Sequence, residues 1–142
     1  KAFESKLIKK EDANMTFLEG QGLEIKNIEK GSTHTIQDIL FETNSSKIDQ
    51  SSELVLEAFA SWLNLNSDIE IEIQGNTDDV GGEGDNLALS KDRAFSVMEF
   101  LINQNVLASR MRFKGYGELN PKFNNDSNIN RTKNRRTDFL IL

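Results

Sequence analysis

The segment DIEIEIQGNTDDVGGEGDNLALSKDRA (residues 68–94) decides the predicted fold, because a strand, a glycine-rich loop and a helix follow one another in it. Isoleucines at every second position alternate with polar residues over 68–75, which predicts a strand with one apolar face and one polar face. The polar face indicates a sheet that is covered by helices on one side only. Asp85 or Asn86 is predicted to cap the following helix, which runs to about Asn105. Its predicted buried stripe consists of Ala94, Val97, Met98 and Leu101.

The flanking segments extend this pattern in both directions. Strands are predicted for THTIQDILF (33–41), MRFKGYG (111–117) and RRTDFLIL (135–142), and an asparagine-rich loop for 119–130. A helix capped by Asp49 carries the apolar stripe Val55, Phe59, Trp62 and Leu63. The order β-α-β-α-β-β predicts an α+β fold, a two-layer sandwich with helices packed on one face of a mixed sheet. We expect residues 33–142 to form this domain, and residues 1–32 to be an N-terminal extension or the end of a preceding domain or linker.

The composition excludes several classes of function. The 142 residues include no cysteine and one histidine, His34, which removes disulfides, thiolate metal sites and cysteine nucleophiles. The net charge of −6 is the opposite of what a general nucleic-acid binder carries. No apolar run approaches the roughly 20 residues of a membrane span. We therefore expect no nucleic-acid partner and no direct membrane insertion by this segment.

The charge is unevenly distributed along the chain. Residues 1–90 carry 7 basic and 18 acidic side chains, whereas residues 91–142 carry 10 basic and 5 acidic ones. The basic part could meet an anionic ligand, or it could meet the acidic part of the same fold.

Asp78 and Arg93 are the residues with the most informative chemistry. Asp78 follows the isoleucine strand, at the end where open α/β sheets gather ligands. Arg93 lies 15 residues further on, about two turns into the next helix. If both face one cleft, the guanidinium can bind a carboxylate bidentately and the aspartate can bind an ammonium, which together recognise a zwitterion. A structural salt bridge between them, or a calcium site built from the loop acids, is an alternative interpretation.

The sequence resembles the OmpA-like C-terminal domain family. The resemblance lies in G-x-T-D-x-x-G followed by N-x-x-L-S-x-x-R-A, which Gly75, Thr77, Asp78, Asn86, Leu89, Ser90, Arg93 and Ala94 carry here. The segments ILFETNSSKI, GYGELNP and NRR resemble the family's first strand, its late turn and its usual ending. The similarity covers about residues 33–142, with the four motifs in the expected order.

This resemblance implies a peptidoglycan-binding domain. It implies noncovalent binding through the diaminopimelate of the stem peptide, with Asp78 on the ammonium and Arg93 on the carboxylate. Further ligand-binding positions implied by the family motifs are Phe41, Glu42, Thr43, Asn44, Thr77, Asn86, Leu89 and Arg136. From the residue types we also expect no cofactor, no metal and no catalytic residue. The expected setting is the periplasm, in a larger envelope protein or complex that is tethered to the outer membrane through an N-terminal part.

A hydrolase that acts on the cell wall is the main competing function. Asp78 and Asp79 are sequence neighbours, so in an extended segment their side chains diverge and do not flank a scissile bond as glycosidase carboxylates do. The sequence also lacks a nucleophile elbow or a metal-ligand cluster. We therefore expect a binding module and not an enzyme; a calcium-binding structural domain is the other alternative.

Overall fold

The computed structural model describes residues 28–36 and 39–142. A four-stranded sheet contains β1 (Thr33–Ile36), β2 (Ile71–Asn76), β3 (Met111–Gly117) and β4 (Arg136–Ile141), in the order β1-β4-β2-β3. Strand β4 is antiparallel to both neighbours, and β2 is parallel to β3. The helices are α1 (Glu53–Leu65), α2 (Glu83–Asn103) and α3 (Asn128–Asn134). The predicted α+β architecture with a mixed sheet is confirmed.

The apolar stripes of α1 and α2 form the core against the inner face of the sheet. Phe59, Trp62 and Leu63 are fully buried, and the rings of Phe59 and Phe139 lie 4.7 Å apart. The stripe predicted for α2 is also buried at Ala94, Val97 and Leu101. Helical spacing thus identified the core-facing side of both helices.

Two glycines let α2 lie directly on strands β2 and β3. A Cβ atom on Gly75 would lie 2.1 Å from the carbonyl oxygen of Ser90, and one on Gly115 would lie 2.4 Å from the backbone nitrogen of Lys91. The Ser90 hydroxyl accepts a hydrogen bond from the Gly117 N–H at 2.9 Å. This close contact fixes the position of α2 relative to the ends of both strands.

Two predictions about the ends of elements were wrong. Strand β1 ends at Ile36 and does not reach residue 41. Asp49 caps the short 3-10 helix Gln50–Ser52, whereas the N-cap of α1 is Ser52.

Two further local predictions were also wrong. Helix α2 begins at Glu83 with Gly82 as its N-cap, so Asp85 and Asn86 lie in its first turn and do not cap it. The asparagine-rich loop predicted for 119–130 contains the start of α3, where the Ser127 side chain accepts from the Asn130 N–H at 3.1 Å. Helix α3 has seven residues, too few for an apolar period to show.

The outer face of the sheet is less solvated than predicted. Glu72 is only 6% exposed, and it accepts hydrogen bonds from Arg112 (2.8 Å), Gln74 (2.9 Å) and Tyr116 (3.0 Å). Burial raises the pKa of this carboxyl, but the three hydrogen bonds and the charge of Arg112 outweigh burial and leave the pKa below its ordinary value. Neighbouring polar side chains therefore cover a position that alternation alone assigns to solvent.

Residues 1–27, which make up most of the predicted N-terminal extension, lie outside the described residues. Residues 31 and 32 already bond to the sheet: the Gly31 N–H donates to the Ile141 carbonyl, and the Ile141 N–H donates to the Ser32 carbonyl. The predicted boundary at residue 33 stays a prediction. Within the described ranges, no helix combines the length and apolarity that crossing a membrane requires.

Candidate functional site

Asp78 sits just beyond the end of β2, in a backbone that is held at several points. The Thr77 N–H donates to the Gly117 carbonyl at 2.8 Å, and the Thr77 hydroxyl donates to the Asp78 carbonyl at 2.8 Å. Asp78 Oδ1 accepts from the Val80 N–H at 3.0 Å, which closes a tight turn at the start of the loop. The Asp78 carboxylate is thus fixed in place and only 6% of the residue is exposed.

Arg135 forms the ion pair with Asp78. Its Nη1 donates to Asp78 Oδ2, and its Nη2 donates to the Thr132 hydroxyl at 2.9 Å. The arginine side chain is 47% exposed while that of the aspartate is 8% exposed, so the guanidinium lies on the solvent side of the pair. The prediction omitted Arg135 from the site, although the NRR ending contains it.

Arg93 lies half-buried on α2 and contacts the turn that follows β1. Its Nε donates to the Ser45 carbonyl at 2.9 Å and its Nη2 donates to the Glu42 carbonyl at 3.4 Å. The guanidinium carbon lies 4.8 Å from the centre of the Phe41 ring, a cation–π contact. Among the described residues, Nη1 has no protein partner. The Arg93 side chain therefore retains N–H donors for a further acceptor.

The three charged groups influence one another. Burial lowers the pKa of Arg93, the charge of Arg135 lowers it further, and the charge of Asp78 raises it. Asp78 and Arg93 interact through space, but the ion pair of Asp78 is with Arg135. The structural salt bridge between Asp78 and Arg93, which the sequence left open, is not among those formed by the described residues.

The turn over residues 41–48 is the third segment of the candidate site, after the Asp78 loop and helix α2. Phe41 and Ile48 form an isolated antiparallel bridge, and the Ser45 N–H donates to the Glu42 carbonyl at 3.0 Å. Asn44 has a φ of 53°, which its short polar side chain tolerates. Thr43 and Asn44 are exposed. The structure thus brings this turn together with Arg93.

Asn86 braces the loop from the first turn of α2. Its Nδ2 donates to the carbonyl of Val80 (3.0 Å), to Glu118 Oε1 (3.2 Å) and to the carbonyl of Asp78 (3.4 Å). The side chain is buried and its donors are engaged with protein. Leu89, one turn further along the helix, is half-buried. Ligand contact by these two residues stays a prediction.

Arg136 bonds to groups other than the Asp78 carboxylate. It pairs with Asp138 (Nε to Oδ2, 3.0 Å) and donates to the Asn120 carbonyl at 2.9 Å. Its Cα partner across the sheet is Asn76, so it belongs to the β4–β2 ladder. Its predicted ligand contact also stays a prediction.

The acids of the loop do not gather around a cation position. In the described part of the chain, no three histidine, aspartate or glutamate side chains are arranged to hold a metal ion.

The architecture defines a class of protein: a two-layer α+β domain with an aspartate and two arginines at the carboxyl end of its second strand. The sequence model of the OmpA family matches residues 40–135. The chain belongs to the OmpA family.

Curated relatives include a lipoprotein and a motility protein. The chain is 33% identical over 105 residues to the peptidoglycan-associated lipoprotein of Mesorhizobium japonicum, which covers 73% of this chain and 62% of that protein. It is 32% identical over 129 residues to motility protein B of Helicobacter pylori, covering 86% of this chain and 50% of that protein. The chain therefore spans about half to three-fifths of the length of these relatives.

Solved structures share the fold. The peptidoglycan-associated lipoprotein of Burkholderia pseudomallei superimposes with a TM-score of 0.67 at 28% identity, over 73% of this chain and 88% of that chain. The periplasmic domain of Helicobacter pylori MotB gives 0.71 at 30% identity, over 84% of this chain and 79% of that chain.

Proposed function

We propose that this domain binds peptidoglycan noncovalently and anchors a larger envelope protein to the cell wall. Membership of the OmpA family supports the proposal, as do relatives whose names state an association with peptidoglycan. The observation that carries it is the meeting of Asp78, Arg93 and Arg135 beside the turn at residues 42–45. This arrangement presents fixed charges of both signs to one ligand.

We propose the diaminopimelate side-chain terminus as the group recognised. That terminus carries an ammonium and a carboxylate on one carbon, which matches a buried aspartate beside partly exposed guanidinium groups. Arg93 Nε and one Nη2 hydrogen already serve the turn, so the carboxylate would approach the Nη1 side. The ammonium would share the Asp78 carboxylate with Arg135, because both oxygens of Asp78 already accept hydrogen bonds.

The mode of action that we propose is binding without bond cleavage. Asp78 is committed to Arg135 and to the Val80 N–H, while Asp79 is exposed next to it. A glycosidase needs a raised-pKa acid and a second carboxylate across the scissile bond. We place the domain in the periplasm and propose that an N-terminal part tethers it to the outer membrane.

Sedimentation with purified sacculi tests the site. Asp78→Asn keeps the acceptor for the Val80 N–H and removes the charge, and Arg93→Ala removes the guanidinium. We expect both variants to lose sacculus binding by at least tenfold, since each charge-assisted hydrogen bond contributes about 1.5–3 kcal/mol. Asp92→Asn and Lys91→Ala are matched controls, because each removes an exposed charge from α2 within two residues of Arg93.

Two outcomes of the sedimentation experiment would contradict the proposal. Retained binding by both site variants would refute the site, and soluble muropeptides released from the sacculi would identify a hydrolase. We also expect weaker binding to a stem peptide with lysine in place of diaminopimelate, because lysine lacks the carboxylate that Arg93 would bind. Equal affinity for the two peptides would refute the diaminopimelate assignment while leaving wall binding intact.

A further inference from the structure

Three exposed aliphatic side chains lie on the segments that meet at Asn86, the residue that braces the Asp78 loop. Val80, Leu87 and Leu119 are 63%, 45% and 61% exposed, and we call them the aliphatic ledge. They come from three separate segments: the loop after β2, the first turn of α2 and the turn after β3. Scattered apolar residues need no explanation, but three on adjoining segments beside a candidate binding site do.

The segments that carry the ledge meet at the side chain of Asn86. Asn86 Nδ2 donates both to the Val80 carbonyl and to Glu118 Oε1, which precedes Leu119. A Cβ atom on Gly117 would lie 3.1 Å from the Leu87 nitrogen, so the turn after β3 lies against the first turn of α2. The hydrogen bonds of Asn86 thus hold the ledge segments together.

One residue of the ledge is bonded directly to the Asp78 carboxylate. The backbone N–H of Val80 donates to Asp78 Oδ1 at 3.0 Å, so the Cα atom from which the Val80 side chain extends lies close to the charged group. A ligand held at Asp78 therefore has aliphatic surface directly beside it.

We propose that the aliphatic ledge binds the methyl group of the alanyl residue that follows diaminopimelate in the stem peptide. This inference rests on the proposed function and adds a second point of contact to it. The ledge offers small aliphatic groups and no aromatic or arginine anchor, which suits a methyl group better than a protein hot spot. The loop after β2 and the first turn of α2, which carry Val80 and Leu87, also carry exposed acids, which repel a free carboxylate: Asp79, Glu83 and Asp85. The alanyl residue that fits is therefore one whose carboxyl is in amide linkage.

Two synthetic peptides isolate the methyl group. Both carry L-Ala, γ-linked D-Glu and diaminopimelate; one ends in D-alanine amide and the other in glycine amide, so they have equal charge. Burial of one methyl group corresponds to about three- to fourfold in affinity. We expect the intact chain to prefer the D-alanine peptide by that factor in NMR or calorimetric titration.

Variants assign the preference to the ledge. Val80→Ser and Leu87→Ser should bring the ratio of the two affinities close to one, with little change for the glycine peptide. Leu107→Ser is the matched control: it is 65% exposed and lies beyond the opposite end of α2. It should keep the wild-type ratio.

The outcomes separate this inference from the proposed function. Equal binding of the two peptides by the wild-type chain, or an unchanged ratio in both ledge variants, would overturn the ledge and leave wall binding standing. Failure of both peptides to bind at all would overturn the proposed function and the ledge with it.

Discussion

Substitution of Gly75 by alanine tests the packing that sets the site. The new Cβ atom would lie 2.1 Å from the Ser90 carbonyl oxygen, whereas ordinary contacts begin at 3.4 Å. The difference of these two distances requires α2 and β2 to separate by about 1.3 Å. The neighbours are backbone atoms of a helix and a strand, so no side chain can rotate away to relieve the contact.

The expected cost is at the upper end of the range for overpacked cores. We expect Gly75→Ala to lower the free energy of unfolding by about 3 kcal/mol. For a domain of this size that corresponds to a Tm lower by roughly 10 °C. Sacculus binding should also weaken in the folded variant, because Gly75 is in the strand that leads to Asp78 and α2 carries Arg93.

Urea unfolding followed by circular dichroism measures the change. Gly84→Ala is the matched control, because a Cβ atom there meets no atom within 4 Å and the residue is helical. It should raise stability by up to about 1 kcal/mol through helix propensity. A Gly75→Ala variant within about 0.5 kcal/mol of wild type would refute the close approach of α2 to the sheet.

Three further predictions concern polar side chains. Asn134 is fully buried and bonds to Lys122 N, Phe123 N and Phe123 O, so Asn134→Ala should cost about 2–4 kcal/mol and speed hydrogen exchange over 118–127. The pKa of Glu72 is lower in the folded state than in the unfolded state. The stability that Glu72 contributes is therefore present above about pH 4.5 and is lost as pH falls through the folded pKa. Glu72→Gln should accordingly lose less stability than wild type between pH 6 and pH 3. Burial raises the pKa of Tyr116 above 10, and the hydrogen bond and charge of Glu72 raise it further, so Glu72→Gln should bring phenolate formation to lower pH in an ultraviolet titration.

Controls for these predictions are available on the same elements. Ile129→Ala on α3 changes a side chain of a residue that is 69% exposed and should leave the exchange of residues 118–127 unchanged, whereas an equal effect would contradict the role of Asn134. Glu70→Gln, at an exposed position two residues before Glu72, should follow the wild-type acid dependence. An unchanged Tyr116 titration in Glu72→Gln would contradict the hydrogen bond between them.

Local patterns predicted much of the fold because their physical cause is local. Strand alternation over the isoleucines gave the inner face of β2, and the helical spacing of Phe59, Trp62 and Leu63 gave the buried side of α1. Helix α3 was missed because seven residues without an apolar stripe leave no periodic signal. Glu72 was assigned to solvent because its cover comes from Arg112 and Tyr116, which lie about 40 residues away along the chain.

The sequence by itself determined the fold class, the apolar sides of the helices and the identity of Asp78 and Arg93 as candidate ligand-binding residues. Only the tertiary structure decided that Arg135 pairs with Asp78, while Arg136 pairs with Asp138. The two arginines are adjacent and chemically identical, so composition and motif cannot separate them. The partners of the two side chains depend on their places in the fold. Arg135 is the C-cap of α3, whereas Arg136 is the first residue of β4 and stands opposite Asn76 in the sheet. Register is a long-range property, because it depends on which strands pair and not on the residues next to Arg135.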